Sequence, residues 1–267
     1  MATAALAVDG ASLQYEVVGT GPAVVLIHGF SLDMRMWDPQ LPDLAAAFRV
    51  VRYDCRGFGA SGPLDPAIPY THAADLVALL DHLSIDQAAL VGLSFGGHVA
   101  LSAALLAPER VRALVLLDSL LEGAPWDEES KEGLAELGRQ LTAGGVPAGR
   151  EAWLAHPLFA ATRQQPLVRA RLAQMVADYP GQHWLGQDPH LRDSAAPIDL
   201  LEQLTMPALV VAGEQDVPGF RDMTDVLAQR LPAAELVLIP DAGHMVNMEQ
   251  PAVVNPLLVR FLRAHAA

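Results

Sequence analysis

Six short, almost uninterrupted apolar runs set the tightest limit on how this chain folds. They are "AVVLIHG" (23–29), "FRVVRYD" (48–54), "AALVG" (88–92), "VRALVLLD" (111–118), "ALVVAG" (208–213) and "AELVLIP" (234–240). A strand with one wet face alternates apolar and polar residues; a run apolar at every position must be covered on both faces. Helical patterns lie between the runs. "THAADLVALLDHL" (71–83) opens on a Thr N-cap and carries Leu or Val at 76, 77, 79, 80 and 83. An Ala- and Leu-rich run extends from Ser94 to Pro108, and "FRDMTDVLAQRL" (220–231) and "PAVVNPLLVRFLRAH" (251–265) follow the later runs, with Pro256 expected to kink or restart the last. Strands alternating with helices give a doubly wound, mostly parallel α/β sheet. The opening "LAVDGASLQYEVVG" adds two extended runs around Asp9-Gly10, a β-hairpin, and brings the sheet to about eight strands.

Residues 119–200 break this rhythm. They contain no convincing strand but hold three of the four tryptophans, Trp126, Trp153 and Trp184. A structureless loop of that length is uncommon, so the segment is expected to be a helical cap. The core is then 1–118 together with 201–267, and the cap is 119–200.

"AALVGLSFGGHVALSAALLA" raises the functional question. Gly92, Gly96 and Gly97 surround Ser94 where a strand hands over to a helix, and glycine weakens both elements. The spacing fits G-x-S-x-G at a strand-turn-helix junction. There the central residue is forced into strained backbone angles, and side chains two positions away on either side would collide. The strain lifts the hydroxyl above the sheet, at the positive end of a helix, where an oxyanion is stabilised. Ser94 is therefore the candidate nucleophile.

A hydroxyl nucleophile needs a base, and the base an orienting acid, in the chain order Ser, acid, His on loops after strands. Asp216 in "ALVVAGEQDVPG" and His244 in "LVLIPDAGHMVNMEQP" meet that order. Among competing carboxylates, Glu214 adjoins its strand too closely and Asp241 lies three residues from the histidine it would orient. Asp118, at the end of another strand, remains a second position for the acid. His28 reads as a supporting hydrogen-bonding residue, and His98, one turn beyond Ser94, as a packing residue or one facing the cap. The oxyanion hole is expected from the backbone N–H groups of Phe30, in "LIHGFSLDMRMW", and of Phe95. The side chains of Phe30 and Phe95, with Trp37, Trp126, Trp153, Phe159 and Trp184, are the candidate substrate-binding residues.

Composition excludes more than it selects. There are 17 basic and 31 acidic residues, a net charge of −14, which argues against nucleic-acid and anionic-membrane surfaces. No apolar stretch reaches the roughly 18 residues of a membrane span, and "MATAALAVDGASL" lacks a signal peptide's basic start and apolar core, so a cytoplasmic protein is expected. Self-association is left open. The lone Cys55 reads as a small buried side chain, and no H-x-x-x-H or paired-Cys spacing suggests a metal site. No cofactor is expected.

Taken in order, "HGF", "YDCRGFGASG", "GLSFGG", "GEQD" and "AGHM" resemble the α/β-hydrolase superfamily from the first hairpin to the last helix. "MRMWDPQLPDL", "RVVRYDCRGFGASG", "ALLDHL" and "PERVRALVLLDS" are similar to its 3-oxoadipate enol-lactonase and small carboxylesterase branch. The resemblance implies a serine hydrolase of small esters or lactones that works through an acyl-enzyme without a cofactor. Serine at the elbow separates the chain from dehalogenases and most epoxide hydrolases, which carry Asp there, and from dienelactone hydrolases, which carry Cys. Acyltransferase, perhydrolase and C–C hydrolase chemistry, and a low-turnover small-molecule receptor, are the alternatives the same fold allows.

Overall fold

The hairpin and the six apolar runs form one eight-stranded sheet. The computed structural model describes residues 3–191 and 196–266. The strands are β1 (Ala4–Val8), β2 (Ala11–Val18), β3 (Ala23–Ile27), β4 (Arg49–Tyr53), β5 (Ala88–Leu93), β6 (Val111–Leu117), β7 (Ala208–Gly213) and β8 (Ala234–Ile239). Their order is β1-β2-β4-β3-β5-β6-β7-β8. Only the β1–β2 and β2–β4 pairings are antiparallel; Val25 sits level with Val51 on one side and Leu90 on the other. β5 and β7 are buried at every position, as two-sided burial requires. Strand order reverses between β3 and β5, which opens a crevice at their carboxyl ends. A ligand site is expected there in an open α/β sheet, and the loops carrying Phe30 and Ser94 flank it.

The helices are α1 (Leu41–Ala45), α2 (His72–His82), α3 (Phe95–Leu106), α4 (Glu128–Ala155), α5 (Ala160–Arg163), α6 (Pro166–Asp178), α7 (Pro218–Arg230), α8 (Val246–Glu249) and α9 (Pro251–His265). Thr71 caps α2 by accepting the Ala74 N–H. α9 runs as one helix through Pro256, so the expected restart does not occur. Between β6 and β7 there is no strand among the described residues. α4 breaks at Gly145 (φ 65°, ψ −160°), two residues before Pro147, so its two arms are separate helical segments. The 3-10 turn Pro197–Gln203 already packs on α3 and α7, so the chain rejoins the core before residue 200.

Three glycines let β5 and α3 meet. A Cβ at Gly92 would lie closer than 3.0 Å to the Gly96 carbonyl, and one at Gly96 equally close to the Ile27 and His28 carbonyls next door. A Cβ at Gly97 would strike the Ser119 side chain. Backbone atoms cannot yield as a flexible side chain can, so Gly96→Ala should cost at least about 2 kcal/mol. At Gly138, on α4, an added Cβ meets nothing within 4 Å; Gly138→Ala should stabilise by roughly 0.5–1 kcal/mol. Thermal unfolding of the two variants, side by side, checks both signs.

Candidate active site

Ser94 sits at φ 54° and ψ −117°, in a region that L residues rarely occupy. It is held there by main-chain bonds: its N–H donates to the Leu117 carbonyl at 2.9 Å, and its carbonyl accepts from the N–H groups of Gly97 and Leu120. The turn between β5 and α3 is thereby fastened to the end of β6 and to the loop that follows it. The strain falls at the position the sequence singled out, and α3 begins with the next residue.

The loop after β7 brings Asp216 and the loop after β8 brings His244 together. His244 Nδ1 donates to Asp216 Oδ2 at 2.9 Å, with both side chains almost wholly buried. The other carboxylate oxygen, Asp216 Oδ1, accepts the Val217 N–H at 2.7 Å. The acid is therefore held at both oxygens, which keeps the imidazole in the tautomer whose Nε2 is free to accept a proton. Phe220 stands edge-on to the ring, centroids 4.3 Å apart.

Asp118 lies in the same spot. Ligand atoms of Asp118, Asp216 and His244 fall within 4.8 Å of one another. Asp118 is fully buried at φ 40°; its Oδ1 accepts the Gly213 N–H at 2.9 Å. Two carboxylates this close and this deeply buried strongly disfavour charge on both. Burial, reinforced by the neighbouring Asp216 charge, pushes Asp118 well above the usual carboxylate range. Its surroundings therefore disfavour the charged form that an orienting acid needs. A cation at this cluster would have to ionise Asp118 and displace His244 from Asp216, so the donor set fits a proton better than a metal.

Phe30 and Phe95 line the cavity that Ser94 and His244 share. Among the described residues, neither backbone N–H meets an acceptor; Phe95 opens α3, whose first N–H groups have no partner within the helix. The Phe30 loop is pinned by His28, which donates from Nδ1 to the Gly29 carbonyl at 2.8 Å and accepts the Cys55 N–H on Nε2 at 2.9 Å. Burial lowers the His28 pKa, so it serves as a neutral brace. Cys55 is buried, and desolvation pushes its thiol far up, away from the reactive thiolate.

The cavity has a volume of about 240 Å³ and an apolar wall. Trp126, Trp153, Phe159 and Trp184 line it, as does Phe30, whose ring meets Phe58, Phe95, Trp153 and Tyr179 edge-to-face. Trp37 does not. The 3-10 turn Met34–Trp37, started by Asp33 accepting the Arg35 N–H, folds the chain back against β3, β4, α6 and α8 and buries Trp37 completely. The expected pocket role of Trp37 is corrected to a core role. Reading the sequence also missed Phe220, Leu137 and Met245 on the cavity wall. It missed Glu249 as well, whose Oε2 accepts the Gly243 N–H beside His244 and whose Oε1 accepts the Thr162 hydroxyl from α5. Nothing in those residue types marks them; a carboxylate five residues beyond His244 is the nearest thing to a signal.

The fold and the cavity define the class: an α/β sheet enzyme architecture with a strained serine, a buried Asp–His pair and a helical cover. The alpha/beta hydrolase fold family model matches residues 22–251. The chain is 34% identical over 263 residues to a dihydrolipoyllysine-residue acetyltransferase component of the acetoin cleaving system of Pseudomonas putida, covering 92% of this chain and 64% of that longer protein. Among solved structures it is similar to a thermophilic esterase from Thermogutta terrifontis (31% identity, TM-score 0.82, 100% of both chains). It is also similar to the enol-lactonase from Burkholderia xenovorans LB400 (28% identity, TM-score 0.81, 97% of this chain and 100% of that one). The chain belongs to the alpha/beta hydrolase fold family.

The two carboxylates are separable by experiment. Asp216→Asn should lower kcat by up to roughly 10⁴, because the amide favours the wrong imidazole tautomer. Asp118→Asn, which resembles the neutral form that burial favours, should cost less than about tenfold by the same comparison. The raised pKa of Asp118 also fixes a sign. Its contribution to stability is present below the unfolded-state pKa and is lost as pH rises toward the folded one. The Tm of Asp118→Asn relative to wild type should therefore grow from about pH 4 to about pH 8. A larger kcat loss at Asp118 than at Asp216 would exchange their roles.

Proposed function

We propose that the protein is a serine hydrolase of small carboxylic esters or lactones, acting through an acyl-enzyme on Ser94. The observation that carries this reading is the buried 2.9 Å Asp216–His244 hydrogen bond on the wall of the cavity that also holds Ser94. In the proposed reaction Ser94 Oγ attacks the carbonyl while His244 Nε2 takes its proton, and Asp216 stabilises the imidazolium that forms. The carbonyl oxygen gathers negative charge against the Phe30 and Phe95 N–H groups. Collapse breaks the carbonyl–alkoxide bond, and His244 passes its proton to the departing oxygen. Water then attacks the acyl-enzyme, His244 takes a proton from it, and Ser94 leaves with that proton. Every step uses groups of this chain and water alone. No helix of the described residues is long and apolar enough to cross a membrane. Similarity to an esterase and an enol-lactonase supports the choice of esters and lactones.

The small volume and apolar wall of the cavity support a limit on size. Surplus methylenes would have to displace packed cap side chains at about 1–3 kcal/mol. With nitrophenyl esters from acetate to palmitate, kcat/KM should peak at about two to six acyl carbons and fall steeply by twelve. Ser94→Ala should keep less than about a hundredth of wild-type kcat. A maximum at long chains, or a jump in rate once droplets form, would mean a lipase. Faster transfer to an added alcohol than to water would make the protein an acyltransferase.

A further inference from the structure

A second compartment opens beside the apolar cavity. It has a volume of about 420 Å³ and shares Phe30, Phe95, Leu120 and Trp126 with the first, so those side chains form a common wall. Beside Leu121, Gly123 and Ala124, its remaining lining is of a different kind: His72, His98, His183 and His190 with the carboxylates of Glu122 and Asp188. None of the described residues lining it is a lysine or an arginine. Glu122 Oε2 lies 3.6 Å from His98 Nε2. Asp188 Oδ1 accepts the Tyr70 hydroxyl at 2.9 Å and the His190 N–H at 3.1 Å, which fixes the carboxylate at the rim. His72 and His190 stack with centroids 5.0 Å apart, and His72 meets Phe95 edge-on at the same separation.

Two features set the chemistry of this compartment. Burial lowers the pKa of His72 well below the ordinary imidazole value and brings His183 down to about 4, so near neutral pH both are uncharged hydrogen-bonding groups. The carboxylates of Glu122 and Asp188 then supply negative charge, and the shared aromatic wall offers ring faces to a cation. A neutral imidazole offers one acceptor and one donor nitrogen, so such a lining pairs with hydroxyls and attracts ammonium groups, while the charges of Glu122 and Asp188 repel a substrate carboxylate. Because Phe95 follows Ser94 directly, a carbonyl attacked by Ser94 sits at the common wall.

Resting on the serine-hydrolase reading, we infer that the substrate is bipartite. On one side of the scissile carbonyl is a small apolar group for the tryptophan-lined cavity. On the other is a donor-bearing group, an ammonium or a hydroxyl, for the histidine–carboxylate compartment. The same lining selects against substrates with a free carboxylate on that side. This is a specificity site separate from the groups that carry out bond cleavage.

The test uses two ester series with the purified full chain. In the first, butyrate is esterified with 2-(dimethylamino)ethanol, ethylene glycol or glycolate. In the second, butyl esters carry acyl chains ending in dimethylammonium, hydroxyl or carboxylate. Each kcat/KM is divided by that ester's rate of hydrolysis in alkali, which removes differences in intrinsic reactivity. In one of the two series the ammonium and hydroxyl members should exceed the carboxylate member by at least about tenfold, and in Glu122→Gln/Asp188→Asn that ratio should shrink at least fivefold. Wild-type ratios alone decide the matter if the double variant does not fold. Hydrolysis of the carboxylate members as fast as the others, in both series, overturns the specificity site and leaves the hydrolase reading standing. A wild-type ratio that the folded double variant leaves unchanged does the same. No hydrolysis of any ester in either series overturns the hydrolase reading itself.

Discussion

The close approach of β5 to α3 around Ser94 is the constraint on which the rest depends. The chain turns from strand to helix within a single residue at φ 54°, and that turn exists only because no Cβ stands at Gly92 or Gly96. A non-glycine residue in that region costs on the order of 1–3 kcal/mol. The cost is carried by a sheet whose central strands are buried at nearly every position, and by hydrogen bonds that tie the Ser94 backbone to Leu117 and Leu120 at the end of β6 and to Gly97 in α3. In return the hydroxyl stands at the start of α3, next to two N–H groups with no acceptor among the described residues.

Loops that carry chemistry need bracing, and here it comes from buried polar residues. His28 bridges the Phe30 loop to the end of β4; Asp54 accepts the Met34 and Ala60 N–H groups at 2.7 Å each. Glu249 holds the His244 loop and reaches α5 through Thr162. From the cap, Trp153 Nε1 donates to Ser31 Oγ at 2.7 Å, next to Phe30. All but the Ala60 bond are buried, and each such buried group left unpaired would cost about 1–3 kcal/mol. The cap is therefore tied to the Phe30 loop and to the His244 loop by groups that cannot separate without penalty. Its position over Ser94 follows from those ties as much as from apolar packing.

The central strands were legible because burial on both faces leaves a plain record of apolar residues, as in β5 and β7; the edge strand β8 shows the same pattern although Leu236 and Leu238 are exposed, so there two-sided burial was not the cause. The serine turn was legible because backbone collisions admit only glycine at Gly92 and Gly96, and that demand is local in sequence. Asp216 and His244 could be found by chain order, since each follows a strand. What depends on distance in space was hidden. Trp37 reads like a pocket aromatic until the Asp33-started turn folds it into the core. The raised pKa of Asp118 arises from burial, reinforced by Asp216 nearly a hundred residues away, so no local pattern records it. The histidine–carboxylate compartment joins residues of α2, α3, the β6 loop and the end of the cap, and its members are unremarkable one by one in the sequence.

Covalent trapping tests the central claim, that the strained turn makes Ser94 the nucleophile with His244 as its base. The protein is treated with a small alkyl fluorophosphonate, which transfers its phosphonyl group to an activated serine and releases fluoride, and is then digested and mapped by mass spectrometry. The account predicts one phosphonyl group per chain, on Ser94, with labelling at least about a hundredfold slower in His244→Ala. Labelling of a different residue, or labelling of Ser94 at an unchanged rate without His244, would contradict it.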